Sequence, residues 1–292
     1  MKLSCTPISY SASMKAGETQ DDYFRLIAEN GAEGSDLMEP NAYPWFWQDF
    51  DLQKKDVLAR MKDYGLALSG YAAGNNFTVG TDEEFDRQVA IVKSAIHDAA
   101  EFGAPCLRIF GGYHEGCGGR PGVTASNGLA MVIRGIEAVL PEAEKCGVTL
   151  ALENHGRMPG LSREMLYLLK YFDSENLRTL FDCANYLGGN MDETEDPLQA
   201  FERLKDYVVH CHVKSIRVAP PDAKRPRVGC VAGEGGIVPL RQFYYALAAY
   251  GYEGFCSLEY EGGTYTPEEI GVPQSLRNLA DMQKSALTYQ IR

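Results

Sequence analysis

The stretch LALENHG, residues 150–156, opens with the residues of a buried strand and closes on reactive groups. Leu150, Ala151 and Leu152 are core formers, and Glu153, Asn154 and His155 follow them without a break. A strand that delivers a carboxylate and an imidazole to its own end calls for a fold in which strand ends converge.

The surroundings of this stretch supply that fold. Residues 128–147, GLAMVIRGIEAVLPEAEKCG, carry apolar residues at three- and four-residue spacing and finish on glycine, as a helix with a left-handed C-cap does. The same pattern in DEEFDRQVAIVKSAIHDAAEFG, residues 82–103, leads at once into the apolar run APCLRIFGG. Eight such runs punctuate the chain: LSCTPISY (3–10), AEGSDLM (32–38), LALSGYAA (66–73), PCLRIFGG (105–112), VTLALENHG (148–156), LRTLFDCANY (177–186), VVHCHVKS (208–215) and GFCSLEYEG (254–262). Helical patterns at 19–30, 52–64, 82–102, 124–146, 162–173, 197–206, 239–250 and 267–289 alternate with them. Strict alternation predicts a parallel sheet, and eight units in 292 residues predict a closed (β/α)8 TIM barrel. An open doubly wound sheet is the competitor, and the GxGxxG turn it usually carries after the first strand is missing. No composition break or linker divides the chain, so residues 1–292 read as a single barrel domain.

Composition narrows the function classes. A net charge of −12 and the lack of a long Lys/Arg run oppose a nucleic-acid or anionic-membrane partner. MKLSCTPISY is too polar for the apolar region of a signal peptide, and no run approaches the ~18 apolar residues of a membrane span. A soluble, cytoplasmic protein is expected. Its eight cysteines show no CxxC pair, and Cys5, Cys106, Cys183, Cys211 and Cys256 lie in strand-like runs as small packing residues.

In a barrel the reactive groups gather at the C-terminal ends of the strands. Four consecutive runs of the second half end in an ionisable residue: Glu153, Asp182, His212 and Glu259. Alternation across a strand puts Glu153 with His155, His210 with His212 and Lys214, and Glu259 with Glu261. Three carboxylates brought together repel one another, and a divalent cation removes the conflict. Oxygen-rich ligation with one imidazole suits Mn²⁺ best, with Mg²⁺, Co²⁺ or Zn²⁺ as alternatives, and does not suit a thiolate-ligated structural zinc.

The motifs ALENHG, FDCANY, HCHVKS, GEGG and SLEYEG, in this order, resemble the xylose isomerase-like barrels of the sugar-phosphate isomerase/epimerase superfamily. That group includes tagatose 3-epimerase-like enzymes, hydroxypyruvate isomerases, inosose dehydratases and endonuclease IV. The resemblance implies one metal held by Glu153, Asp182, His212 and Glu259, with the two glutamates as the acid/base pair. It implies a sugar isomerase or epimerase acting on a small polyhydroxylated carbonyl compound by enediolate proton transfer. A lyase or dehydratase acting on a keto-sugar, keto-inositol or oxidised glycoside would use the same residues. The endonuclease reading is disfavoured by five histidines and by the charge, since a three-zinc site needs many imidazoles.

Secondary candidates surround this set. His155 is a candidate proton carrier, His114 in GGYHEG a rim residue, and Lys214 a holder of a substrate oxygen. Arg217 and the basic loop DAKRPRVG (222–229) could clamp an anion, and Tyr43, Trp45, Phe46 and Trp47 could stack on a sugar ring or plug the barrel mouth. His210, deeper than His212, reads as a core histidine, and His97 as a mid-helix residue without a role. The partner is a small sugar-like molecule; a second copy of the chain is left open.

Overall fold

The computed structural model describes residues 1–188, 194–221, 223 and 226–290. Ten strands are present among them: β1 Lys2–Cys5, β2 Gly34–Met38, β3 Ala67–Ala72, β4 Leu107–Phe110, β5 Leu150–Glu153, β6 Leu177–Asp182, β7 Val208–Val213, β8 Ser215–Val218, β9 Arg227–Cys230 and β10 Phe255–Leu258. Eight close into a barrel in the order β1-β10-β7-β6-β5-β4-β3-β2, which is the (β/α)8 architecture the alternation predicts. The chain divides into two compact units, Met1–Ser69 with Cys211–Arg292, and Gly70–His210. The boundaries fall inside β3 and β7.

In the unit Gly70–His210, β4, β5 and β6 pair in parallel, with Phe110 beside Glu153 and Glu153 beside Leu180. Cys106, Ala151 and Leu180 form a buried cluster below these strand ends, with Val209 packed against it. The helices Asp82–Phe102 and Ala125–Cys146 start at capping boxes on Thr81 and Thr124 and stop at left-handed Gly103 and Gly147. Both follow the sequence pattern to within a residue.

In the other unit, β1 pairs in parallel with β10 and β2, and β10 with β7, where Ser257 lies beside His212. Two features depart from the sequence reading. The first apolar run predicts a strand to residue 10, but β1 stops at Cys5 and Pro7 opens a short 3-10 turn, since proline fixes φ and has no N–H for the ladder. The run VVHCHVKS predicts one strand followed by a loop. The structure instead turns Ser215–Val218 into an antiparallel hairpin with Arg227–Cys230. Of the basic loop, Asp222, Lys224 and Arg225 lie outside the described residues. Gly229 lets the hairpin approach the backbone of Glu261, where a Cβ would meet the Glu261 carbonyl at 2.4 Å. The expected helix over 52–64 is two short ones, Phe50–Gln53 and Val57–Asp63.

Candidate metal and active site

The opening stretch resolves residue by residue. Leu150, Ala151 and Leu152 are fully buried, and Glu153 ends β5 with only 1% of its surface exposed. Asn154 is not a reactive group. Its side chain extends the β5–β6 ladder: Nδ2 donates to the Asp182 carbonyl at 3.0 Å, and Oδ1 accepts from the Asp182 N–H at 2.9 Å. His155 lies between aromatic rings, 4.4 Å from Phe110 and 5.3 Å edge-on to Tyr113, centroid to centroid. Gly156 turns the chain away with φ +61°, where a Cβ would meet the Gly112 carbonyl at 2.5 Å, so only glycine fits.

Asp182 is the last residue of β6 and fully buried. Its Oδ1 accepts from the Ala184 and Asn185 N–H groups at 2.8 and 3.0 Å, which fixes the carboxylate on the turn that follows the strand. Asn185 also donates to Glu153 Oε1 at 3.4 Å. Arg108 was missed by the sequence reading. Its Nε is 3.8 Å from Glu153 Oε2 and its guanidinium lies 3.9 Å from the Phe110 ring centroid. The signal was present, an arginine in the middle of the apolar run CLRIF.

The other unit holds an imidazole, a carboxylate and a lysine of its own. His212, on β7, is 4% exposed, and its Nδ1 is 3.8 Å from Glu259 Oε2. Glu259 follows β10 and is anchored by its N–H to the Val213 carbonyl at 3.0 Å. Lys214, also buried, donates to Glu259 Oε2 at 2.7 Å and to Glu261 Oε1 at 3.1 Å. Asp36, on β2, is the second residue that the sequence reading passed over. Its Oδ2 is 3.6 Å from His212 Nε2, and it accepts from Ser69 Oγ at 2.6 Å and Ser257 Oγ at 3.0 Å. An aspartate inside the strand run AEGSDLM was its only mark in the sequence.

In one unit Glu153 and Asp182 end neighbouring strands as buried carboxylates, and in the other the buried His212 faces the half-buried Glu259. Carboxylates that share a buried place repel one another unless a cation joins them, and carboxylate oxygens with an imidazole nitrogen are the donor types that suit a divalent ion.

The remaining candidates are more dispersed. His114 caps a short 3-10 turn, its Nδ1 accepting from the Gly116 N–H at 3.1 Å. Arg217 lies in the hairpin with its guanidinium 5.3 Å from the Tyr265 ring centroid. Phe46 and Trp47 are buried, Trp47 Nε1 donating to the Met38 carbonyl at 2.6 Å, so these two plug rather than present a surface. Tyr43 and Trp45 stay half-buried in an edge-to-face pair. His210 is buried, as expected of a core histidine, and His97 sits on a helix surface 3.3 Å from Glu142. All eight cysteines are free thiols, and Cys5, Cys106, Cys183, Cys211 and Cys256 are buried. No helix among the described residues is long and apolar enough to cross a membrane.

Comparison with known proteins places this geometry. The uncharacterized protein YihM of Escherichia coli K12 is 25% identical over 148 residues, which are 51% of this chain and 41% of YihM. The chain thus matches about two fifths of the length of that curated relative. The 3-keto-D-glucoside 4-epimerase YcjR of E. coli superposes with a TM-score of 0.71 at 16% identity, over 97% of this chain and 99% of YcjR. The IolI protein with a bound zinc atom superposes with a TM-score of 0.75 at 12% identity, over 99% of both chains. Likeness at these identities concerns the fold. Residues 24–282 match the family described as xylose isomerase-like TIM barrel, and with its closed eight-stranded barrel the chain belongs to that family.

Proposed function

We propose that the chain, acting as one barrel domain over residues 1–292, is a divalent-metal-dependent sugar isomerase or epimerase that moves a proton on a small polyhydroxylated carbonyl compound. The observation that carries this reading is that Glu153, Asp182, His212 and Glu259 stand at or beside the ends of β5, β6, β7 and β10, the ends at which a (β/α)8 barrel gathers its reactive groups. These four hold the cation, with Mn²⁺ the best match to three oxygens and one imidazole. The cation, when bound, supplies electrostatic stabilisation to a carbonyl oxygen and its neighbouring hydroxyl.

The chain's own residues do the rest. Glu153 ends β5 and Glu259 follows β10, two strands that are not neighbours in the barrel, and the two exchange the carbon-bound proton through an enediolate. Asp182, pinned by two backbone N–H groups, holds its geometry and takes no part in proton transfer. Lys214 steadies Glu259 and offers an ammonium to a substrate oxygen. His155, held between rings, borders the substrate, and His114 and Arg217 act at the rim. The zinc named with IolI and the epimerase activity named with YcjR accord with this reading.

The test is metal analysis of the purified protein followed by incubation with ketoses, keto-inositols and 3-keto-glycosides in D₂O. Deuterium should enter the substrate at the carbon next to the carbonyl, cease after chelation, and return with Mn²⁺. Loss of a hydroxyl from the substrate would assign the chain to the lyase reaction at the same site. Full turnover in chelated protein would refute the metal site.

A further inference from the structure

We propose that Asp36 is a positioning residue: it holds His212 with the proton on Nε2 and turns Nδ1 to the divalent ion. This deepens the function proposed above and rests on its metal site. The His212 ring has a carboxylate at each nitrogen, Asp36 Oδ2 at 3.6 Å from Nε2 and Glu259 Oε2 at 3.8 Å from Nδ1. The two carboxylates are not equivalent.

Asp36 is 3% exposed and its oxygens are fixed by hydroxyl donors, Ser69 on Oδ1 and Ser257 on Oδ2. Ser257 is also the register partner of His212, so the hydroxyl that orients Asp36 is tied to the strand position it serves. An ionised carboxylate accepts and does not donate, so the ring nitrogen facing it carries the proton. Glu259 is instead held by the Lys214 ammonium and is one of the metal ligands proposed above. Its 3.8 Å approach to Nδ1 compares with the ~3.0–3.4 Å that separates adjacent ligands of an ion bound at ~2.1 Å. A carboxylate behind a ligating histidine fixes its tautomer and raises its basicity, and loss of such a partner weakens metal affinity ~10- to 100-fold.

The experiment uses full-length protein with ¹⁵N-labelled histidine and Zn²⁺ as a diamagnetic probe. Five histidines give a simple long-range ¹H–¹⁵N spectrum, and His212→Gln identifies the signal. In the Zn²⁺-saturated protein His212 should carry its proton on Nε2 and the ion on Nδ1. Asp36→Asn should weaken Zn²⁺ binding ~10- to 100-fold by competition with a chelator, and Ser257→Ala should weaken it less. Zn²⁺ on Nε2, or affinity unchanged in Asp36→Asn, overturns the proposal. Should wild-type protein bind no Zn²⁺ or Mn²⁺, the proposed metal site fails by itself. The tautomer in metal-free protein then decides Asp36, with Nε2–H supporting its role and Nδ1–H refuting it. If Asp36→Asn does not fold, the wild-type spectrum and Ser257→Ala carry the decision.

Discussion

Replacing Asn154 by alanine tests the link between the barrel ladder and the proposed metal site. The Asn154 amide satisfies both the N–H and the C=O of Asp182, at 2.9 and 3.0 Å, and Asp182 is fully buried. Removing the amide leaves two backbone groups without their partners in a place water reaches only by opening the strand ends. Each buried orphan costs ~1–3 kcal/mol, so the pair costs roughly 2–6 kcal/mol, and about 3 if one water enters the space. At about 2–4 °C per kcal/mol for a domain of this general size, the melting temperature should fall by roughly 6–12 °C. Asp182 also loses a constraint on the backbone that carries its carboxylate, so Mn²⁺ affinity should drop with stability. Asn154→Asp separates the two effects. It keeps the acceptor for the Asp182 N–H, loses the donor to the carbonyl, and adds a charge beside Glu153 and Asp182. Without metal it should melt no higher than Asn154→Ala, and saturating Mn²⁺ should recover part of the loss. Calorimetric melts with chelator and with Mn²⁺ make the measurement. An Asn154→Ala protein that melts within about 1 °C of wild type and binds Mn²⁺ equally well would refute the reasoning.

Other perturbations bear on separate parts of the site. Glu153→Gln keeps an oxygen ligand but cannot accept a proton. Metal occupancy should fall modestly while turnover of a verified substrate falls ~10²- to 10⁴-fold, and equal losses in both would make Glu153 a ligand only. Lys214→Met leaves Glu259 without its ammonium, so metal-free protein should lose about 2 kcal/mol or more while metal-loaded protein loses less, read as a larger Mn²⁺-induced rise in melting temperature. Of the eight thiols, the half-buried Cys117 and Cys146 should react first with a disulfide reagent in native protein, and all eight should titrate once it is unfolded. Burial pushes the Cys5 thiol up from 9.0 to about 12. A folded pKa above the unfolded one means that the stability from the neutral thiol is complete below pH 9 and is lost as pH rises toward 12. Buried Tyr23 and Tyr186, also shifted upward by desolvation, act in the same direction. Urea midpoints should therefore decline above pH 9, and a flat profile to pH 11 would contradict the burial of these groups.

The sequence by itself determined the barrel and four of its strand ends. Alternating periods of two kinds are a local property, since an apolar strand run and an amphipathic helix each follow from their own residues, and the order of the elements then leaves few topologies. Glu153, Asp182, His212 and Glu259 were legible because each interrupts or directly follows an apolar run, where a charge has a desolvation cost that a bland strand would avoid. Tertiary structure decided what no spacing contains. Asp36 is separated from Ser257 by 221 residues and bonded to it at 3.0 Å, and Asn154 joins backbone groups 28 residues away. These partners meet only because neighbouring strands are laid in register, so their roles depend on pairing rather than on sequence distance. The hairpin after β7 escaped for the same reason: its two halves bond to each other, and each alone reads as loop. Arg108 and Lys214 show the same division. The sequence marks a cation in an apolar run, and only the fold shows which carboxylate it holds.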